Sequence, residues 1–144
     1  QWQIILSTSL YYLGRLNEAI KVISNLVKHF QQEEMSQQTL AELYLHLAWY
    51  ELFNRQPERA IAASQQGLTI HSGDVLKATL HTNLAHGYLL TQQFEMAQAI
   101  YLHYQDHLVA DGRTFKQAVL DDFKIFRQKG ITHPDMEKIE ALYR

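Results

Sequence analysis

The sequence predicts an all-α fold, and three observations carry that reading. Apolar residues recur at helical spacing along almost the whole chain, with no strand-like alternation. Only two prolines and six glycines interrupt the 144 residues, which suits long helices joined by short turns. One interval occurs three times: Leu6 precedes Ala19, Leu47 precedes Ala60 and Leu84 precedes Ala97, each by thirteen residues. A fixed interval that recurs in this way marks repeated supersecondary units.

The apolar pattern places eight helices at roughly 2–13, 17–30, 36–53, 57–71, 74–90, 94–108, 113–129 and 133–143. The first six form three pairs, with the leucine on the first helix of each pair and the alanine on the second. Antiparallel helices approach closely only where side chains are small, and Ala19, Ala60 and Ala97 supply that. Ser7, Ala48 and Ala85 fill the neighbouring small-residue slot. Gly14 stands in the first turn, Arg55-Gln56-Pro57 in the second and Gln92-Gln93-Phe94 in the third, with proline suited to a first helical turn. Ser72-Gly73-Asp74 reads as a helix stop followed by a new start. Ser64 and Gly67 predict thin packing of the fourth helix. Successive leucine anchors lie 41 and 37 residues apart. The stretch from Gln31 to Ser36 is therefore a polar loop, a helical extension or a mixture of the two.

From Asp111 the repeated register is lost. Phe115, Val119, Phe123 and Phe126 make one apolar stripe, with Asp121, Asp122, Lys124 and Arg127 elsewhere around the helix. Gly130 ends that helix. Thr132 is the expected N-cap of the last one, with Pro134 in its first turn, Asp135 completing a capping-box variant, and Ile139, Leu142 and Tyr143 on its apolar face. An atypical terminal pair of this kind covers the last apolar face of an array of repeats.

Around the anchors, the third pair reads Leu84-Ala85-x-x-Tyr88 and then Ala97-x-x-x-Tyr101. This resembles the tetratricopeptide repeat, a helix-turn-helix unit whose signature is Leu-Gly-x-x-Tyr followed by Ala-x-x-x-Phe. The resemblance covers roughly residues 3–105. It implies a right-handed superhelix, a solenoid of antiparallel helix pairs. A single domain over 1–144 is expected, with repeats near 1–34, 41–71 and 76–108 and a C-terminal cap over 112–144. The chain departs from the family pattern in several places. Tyr44 keeps the family's aromatic before the leucine, but Gln3 and His81 replace it elsewhere. Gln31, Ser72 and Val109 stand where a closing proline is usual, and both intervals exceed the family's period of about 34 residues. Gly130-Ile-Thr-His-Pro-Asp135 also resembles the closing segment of repeat regions in large multidomain bacterial proteins. The opening Gln1-Trp2, without a methionine, goes with excision from a longer protein.

Repeats of this family do no chemistry; they hold partners. The resemblance therefore implies a protein–protein interaction module that binds a peptide or protein partner in the inner groove. The alternative is a regulatory or structural segment that contacts other domains of a larger signalling protein or enzyme. In the family the first helix of each pair lines the groove. Residues one before, two after and six after each leucine share a face there: Ile5, Thr8 and Tyr12; His46, Trp49 and Phe53; Asn83, His86 and Leu90. Partner-binding residues expected from this row are Tyr12, His46, Trp49, Phe53, Asn83, His86 and Leu90, with Trp49 as the energetic centre. A second reading of Trp49 and Phe53, as core of a tightly wound array, stays open. The family's clamp for carboxylate-terminated chaperone tails uses Lys, Asn and Arg; here Asn83 alone matches, with Ile4, Thr8, His46, Trp49 and Thr79 at the other positions. Without cations, such acidic tails are not expected to bind.

Other function classes find no support in the residues. A formal charge of −2 offers no basic field to nucleic acid. With no cysteine, disulfides, thiolate catalysis and cysteine-bound zinc are excluded. No apolar run is long enough to insert in a membrane, and neither compartment nor oligomeric state is fixed. No glycine-rich phosphate loop or nucleophile elbow occurs, and Asp121 and Asp122 point apart on their helix, so no catalytic residue and no cofactor are expected. His103 and His107 have the four-residue spacing of helical metal ligands, with Asp106 beside them. No glutamate follows His103, however, and no metal site is expected. His81 and His86, five apart, diverge around their helix.

Overall fold

In the computed structural model, residues 2–31, 37–70 and 72–144 are described, and they form eight α-helices. These are α1 (Trp2–Tyr12), α2 (Leu16–Gln31), α3 (Gln37–Phe53), α4 (Pro57–Leu68), α5 (Asp74–Leu90), α6 (Phe94–Tyr104), α7 (Phe115–Gln128) and α8 (Asp135–Leu142). No strand occurs among the described residues; one isolated antiparallel bridge joins Leu108 and Thr114. The stretch 32–36, which the sequence leaves open between loop and helix, lies outside the described residues.

Each helix through α6 packs on the next, and α3 also meets α5. The small residues explain how. Ser7, Ala19, Ala48, Ala60, Ala85 and Ala97 are all fully buried, at 0% exposure, where helix backbones come together. Gly87 extends the same device: a Cβ there would stand 2.6 Å from a side-chain carbon of Ile61 on α4. Gly67 is likewise a point of close approach, not of thin packing, because a Cβ on it would lie 2.8 Å from Leu80 and 3.2 Å from Tyr44. Ser64 is buried beside it, with no partner for its hydroxyl among the described residues.

The turns repeat one geometry. Gly14, Arg55 and Gln92, each eight residues beyond the leucine anchor, have positive φ of 78°, 57° and 64°. In each turn the next residue donates its amide to a carbonyl five positions back: Arg15 to Leu10 (2.8 Å), Gln56 to Glu51 (2.9 Å) and Gln93 to Tyr88 (2.9 Å). This is the Schellman closure, which satisfies carbonyls left over at a helix end. It recurs after α7, where Gly130 has φ 76° and Ile131 donates to Phe126 at 2.8 Å. Eight residues before Gly130 stands Asp122, so the position that carries leucine in the three earlier pairs carries a carboxylate on α7.

Several helix limits fall inside the expected ranges, α4 ending at Leu68 among them, and two of the differences have a clear local cause. Helix α6 ends at Tyr104 instead of continuing to 108, and residues 105–114 form a compact turn. Val109 and Gly112 close it through backbone bonds to Arg113 and Val109, and Phe115 donates to the His107 carbonyl at 2.7 Å. Thr114 then starts α7 with a reciprocal capping box: its hydroxyl accepts from the Gln117 amide, and the Gln117 side chain accepts from the Thr114 amide. The expected cap at Thr132 is not used. Pro134 is the N-cap of α8, and His133 supplies the side-chain acceptor, its Nδ1 taking the Asp135 amide at 3.1 Å.

Candidate functional site

Side chains of α3, α5, α7 and the 109–113 turn surround a cleft of about 390 Å³. Leu45, His46 and Trp49 come from α3, Thr79, Thr82 and Asn83 from α5, and Ala118, Asp122 and Ile125 from α7; Tyr12 of α1 joins the lining. The turn after α6 forms a further wall because the Ala110 amide is tied to Thr79 Oγ1 on α5 at 2.9 Å. Four residues of the sequence-derived row, Tyr12, His46, Trp49 and Asn83, line this one cleft. The volume falls within the range of about 300–1,000 Å³ usual for ligand pockets.

Along the row the environment changes stepwise. On α1, Ile5 and Tyr12 are 67% and 79% exposed. On α3, His46, Trp49 and Phe53 are half-buried. On α5, Asn83 and His86 are buried and Leu90 is half-buried. Helix α7 causes this gradient. Phe126 lies against Trp49 and Phe53, with ring centroids 5.6 and 5.3 Å away, and its edge meets the His86 ring at 5.1 Å. Trp49 therefore has two surroundings: part of its ring packs on Phe53 (4.7 Å) and Phe126, and part faces the cleft.

Both ring nitrogens of His86 and the amide nitrogen of Asn83 are engaged inside the chain. The amide nitrogen of Asn83 donates to the Leu45 carbonyl on α3 at 3.2 Å. His86 is fully buried; its Nδ1 lies 2.7 Å from the Tyr101 hydroxyl on α6 and its Nε2 lies 2.8 Å from Asp122 Oδ2 on α7. Tyr101 is fully buried, and burial pushes its phenol well above the ordinary value. It stays protonated, and its only side-chain partner among the described residues is His86 Nδ1, so the hydroxyl donates to that nitrogen. Nε2 then carries the ring proton and donates it to Asp122. Aspartate, imidazole and hydroxyl in line match a hydrolytic triad in composition only. A hydroxyl with no route to solvent meets no substrate, and this chain of bonds instead ties α5, α6 and α7 together.

The remaining polar groups at the cleft are set by their neighbours. Arg113 is held between Asp111 (2.6 Å) and Asp121 (2.8 Å). The hydrogen bond to Asp111 raises the guanidinium pKa and lowers that of the Asp111 carboxyl. Burial lowers the His46 pKa, with the charge of Glu42 opposing, and its ring makes no hydrogen bond among the described residues. His103 and His107 sit side by side with centroids 5.9 Å apart, but His107 lies beyond the end of α6. No group of three or more His, Asp or Glu converges on a common point among the described residues.

Sequence reasoning missed the part played by Asp122 and the turn at 109–113. The signal for the first was the eight-residue spacing back from Gly130; for the second it was the Thr114-x-x-Gln117 capping pair. No helix among the described residues is long and apolar enough to cross a membrane. Comparison with protein-family models, with curated proteins and with solved structures gives no match.

Proposed function

We propose that this chain is a protein-interaction module of tetratricopeptide-repeat type, a solenoid of helix pairs that binds a peptide segment of a partner. The observation that carries this reading is the cleft itself, which gathers Tyr12, His46, Trp49 and Asn83 around about 390 Å³ of open space. The thirteen-residue interval, the six small residues at helix contacts and the threefold turn geometry support the repeat assignment. A half-buried tryptophan beside polar groups is the composition of an interface hot spot. Panning a random-peptide display library against the chain tests this. Selected peptides shift the NMR signals of the Trp49 indole and of His46, and Trp49→Ala weakens their binding by about 2 kcal/mol or more. Trp49→Phe, which keeps an aromatic ring against Phe126, serves as the fold control. Selected peptides that bind Trp49→Ala with undiminished affinity sink the reading.

A second reading draws on α1, where Ile5, Tyr12 and the following Leu13 are 67%, 79% and 71% exposed. Exposed apolar side chains along a helix and just past its end form the kind of face that a neighbouring domain covers. On this reading the chain is a regulatory or structural segment within a larger protein. Broadening of the Ile5 and Leu13 methyl signals by an adjoining segment of such a protein, with the cleft signals unmoved, favours it over the first.

A further inference from the structure

The geometry points to a lysine or arginine side chain of the bound peptide as the group the cleft selects, an inference that rests on the peptide-binding reading above. It begins with Asp122, which spends Oδ2 on His86 Nε2 and has no bond to its Oδ1 among the described residues. That carboxylate is only 13% exposed, and its exposed part belongs to the cleft wall. A carboxylate so far removed from water is ordinarily matched by a cation. Here no lysine or arginine among the described residues forms an ion pair with Asp122.

Arg113, the one lysine or arginine of the lining among the described residues, is already engaged. It feels the Asp122 charge only as a minor influence and is bound on both sides, by Asp111 and by Asp121. Among the described residues, two carboxylates of the lining, Asp111 and Asp122, and Asp121 beside them therefore stand against a single guanidinium. His46 adds no charge at neutral pH, because burial holds its pKa below the ordinary value. The lining also includes two aromatic rings, Trp49 and Tyr12. Ring faces attract ammonium and guanidinium groups, most strongly where water is partly excluded. Asn83 adds an acceptor: its nitrogen is engaged by Leu45, and no hydrogen bond is made to its amide oxygen among the described residues. A buried carboxylate with no lysine or arginine partner, an amide oxygen and two aromatic rings around one space favour a long aliphatic side chain ending in a cation. They disfavour an acidic one.

Three blocked tripeptides, Leu-Lys-Leu, Leu-Arg-Leu and Leu-norleucine-Leu, with Leu-Glu-Leu as the like-charge control, test the inference by NMR titration of the whole chain. The signals followed are the Trp49 indole, the Asn83 side-chain amide and the Asp122 backbone amide. The expected result is saturation with the lysine and arginine probes, binding about tenfold or more weaker with norleucine, and none with glutamate. Asp122→Asn retains an acceptor for His86 and abolishes the preference for lysine over norleucine. Equal affinity for lysine and norleucine probes overturns the cation inference and leaves the peptide-binding reading in place. Library-selected peptides that occupy the cleft but show no enrichment in basic residues do the same. Selected peptides that bypass the cleft altogether overturn both.

Discussion

His86 on α5 and Asp122 on α7 meet through an Nε2–Oδ2 contact of 2.8 Å, 36 residues apart in the chain. With the Tyr101 hydroxyl on the other ring nitrogen, three helices share one imidazole, and the rings of Phe123 and Phe126 enclose it at 5.6 and 5.1 Å. Removing any member leaves a polar atom without a partner in a place water does not reach. That loss is costlier than the net value of the bond itself.

Tyr101→Phe removes the donor to Nδ1 and nothing else of comparable size. It is expected to lower unfolding stability by about 1–3 kcal/mol. The denaturation midpoint in urea measures it. A change below experimental error means that the His86 ring turns to another partner, and the proton assignment fails with it.

Gln92 holds a φ of 64°, a conformation that costs a side chain free energy and that glycine adopts freely. Its counterpart Gly14 shows the residue the turn prefers. Gln92→Gly is expected to raise stability by about 1 kcal/mol, and Gly130→Ala to lower it by a similar amount. Thermal unfolding of the two variants checks both signs. Destabilisation by Gln92→Gly refutes the account of the turn.

Much of the fold is legible in the residues, because the repeat writes itself in side-chain size. Small residues at Ser7, Ala48 and Ala85 and at the three alanine anchors have one purpose, to let backbones approach, and all six are fully buried. The helix limits follow from apolar spacing and turn residues, both local signals. What is not legible depends on contacts between distant segments. His86 belongs to the expected partner-facing row by position, yet α7 covers it. Only the tertiary path of α7 decides which of Trp49, Phe53, Asn83 and His86 stay open. The role of Asp122 is hidden because the repeat register there is masked: the leucine that marks the position is replaced by the carboxylate that His86 requires.

Gly87 allows α5 to close on α4. An added methyl group there meets Ile61 at 2.6 Å and the Pro57 carbonyl at 3.2 Å. The side chain can shift, but the carbonyl belongs to the first turn of α4 and yields less readily. Gly87→Ala is expected to cost about 1–3 kcal/mol, as overpacking of a tight core does. Gly73, where a Cβ meets nothing within 4 Å, provides the comparison: alanine there leaves the urea midpoint nearly unchanged. Equal effects at the two positions contradict the packing argument.

Stability is also expected to fall as pH drops below about 6.5, with His46 and His81 responsible. Burial lowers the pKa of both rings; for His46 the charge of Glu42 opposes, and for His81 a bond to the Lys77 carbonyl opposes while Lys77 and His103 reinforce. A histidine whose folded pKa lies below its unfolded value of about 6.5 binds protons more readily in the unfolded chain. Its contribution is complete above about pH 6.5 and is lost as pH falls from there through the folded value. Asp111 and Glu140, whose pKa values are lowered by Arg113 and Arg127, act in the same direction only nearer about pH 4, so the higher interval isolates the imidazoles. Urea midpoints at about pH 7.5 and pH 5 measure the loss. The double variant His46→Gln, His81→Gln is expected to shrink the difference between them, and an undiminished difference assigns the pH dependence to other groups.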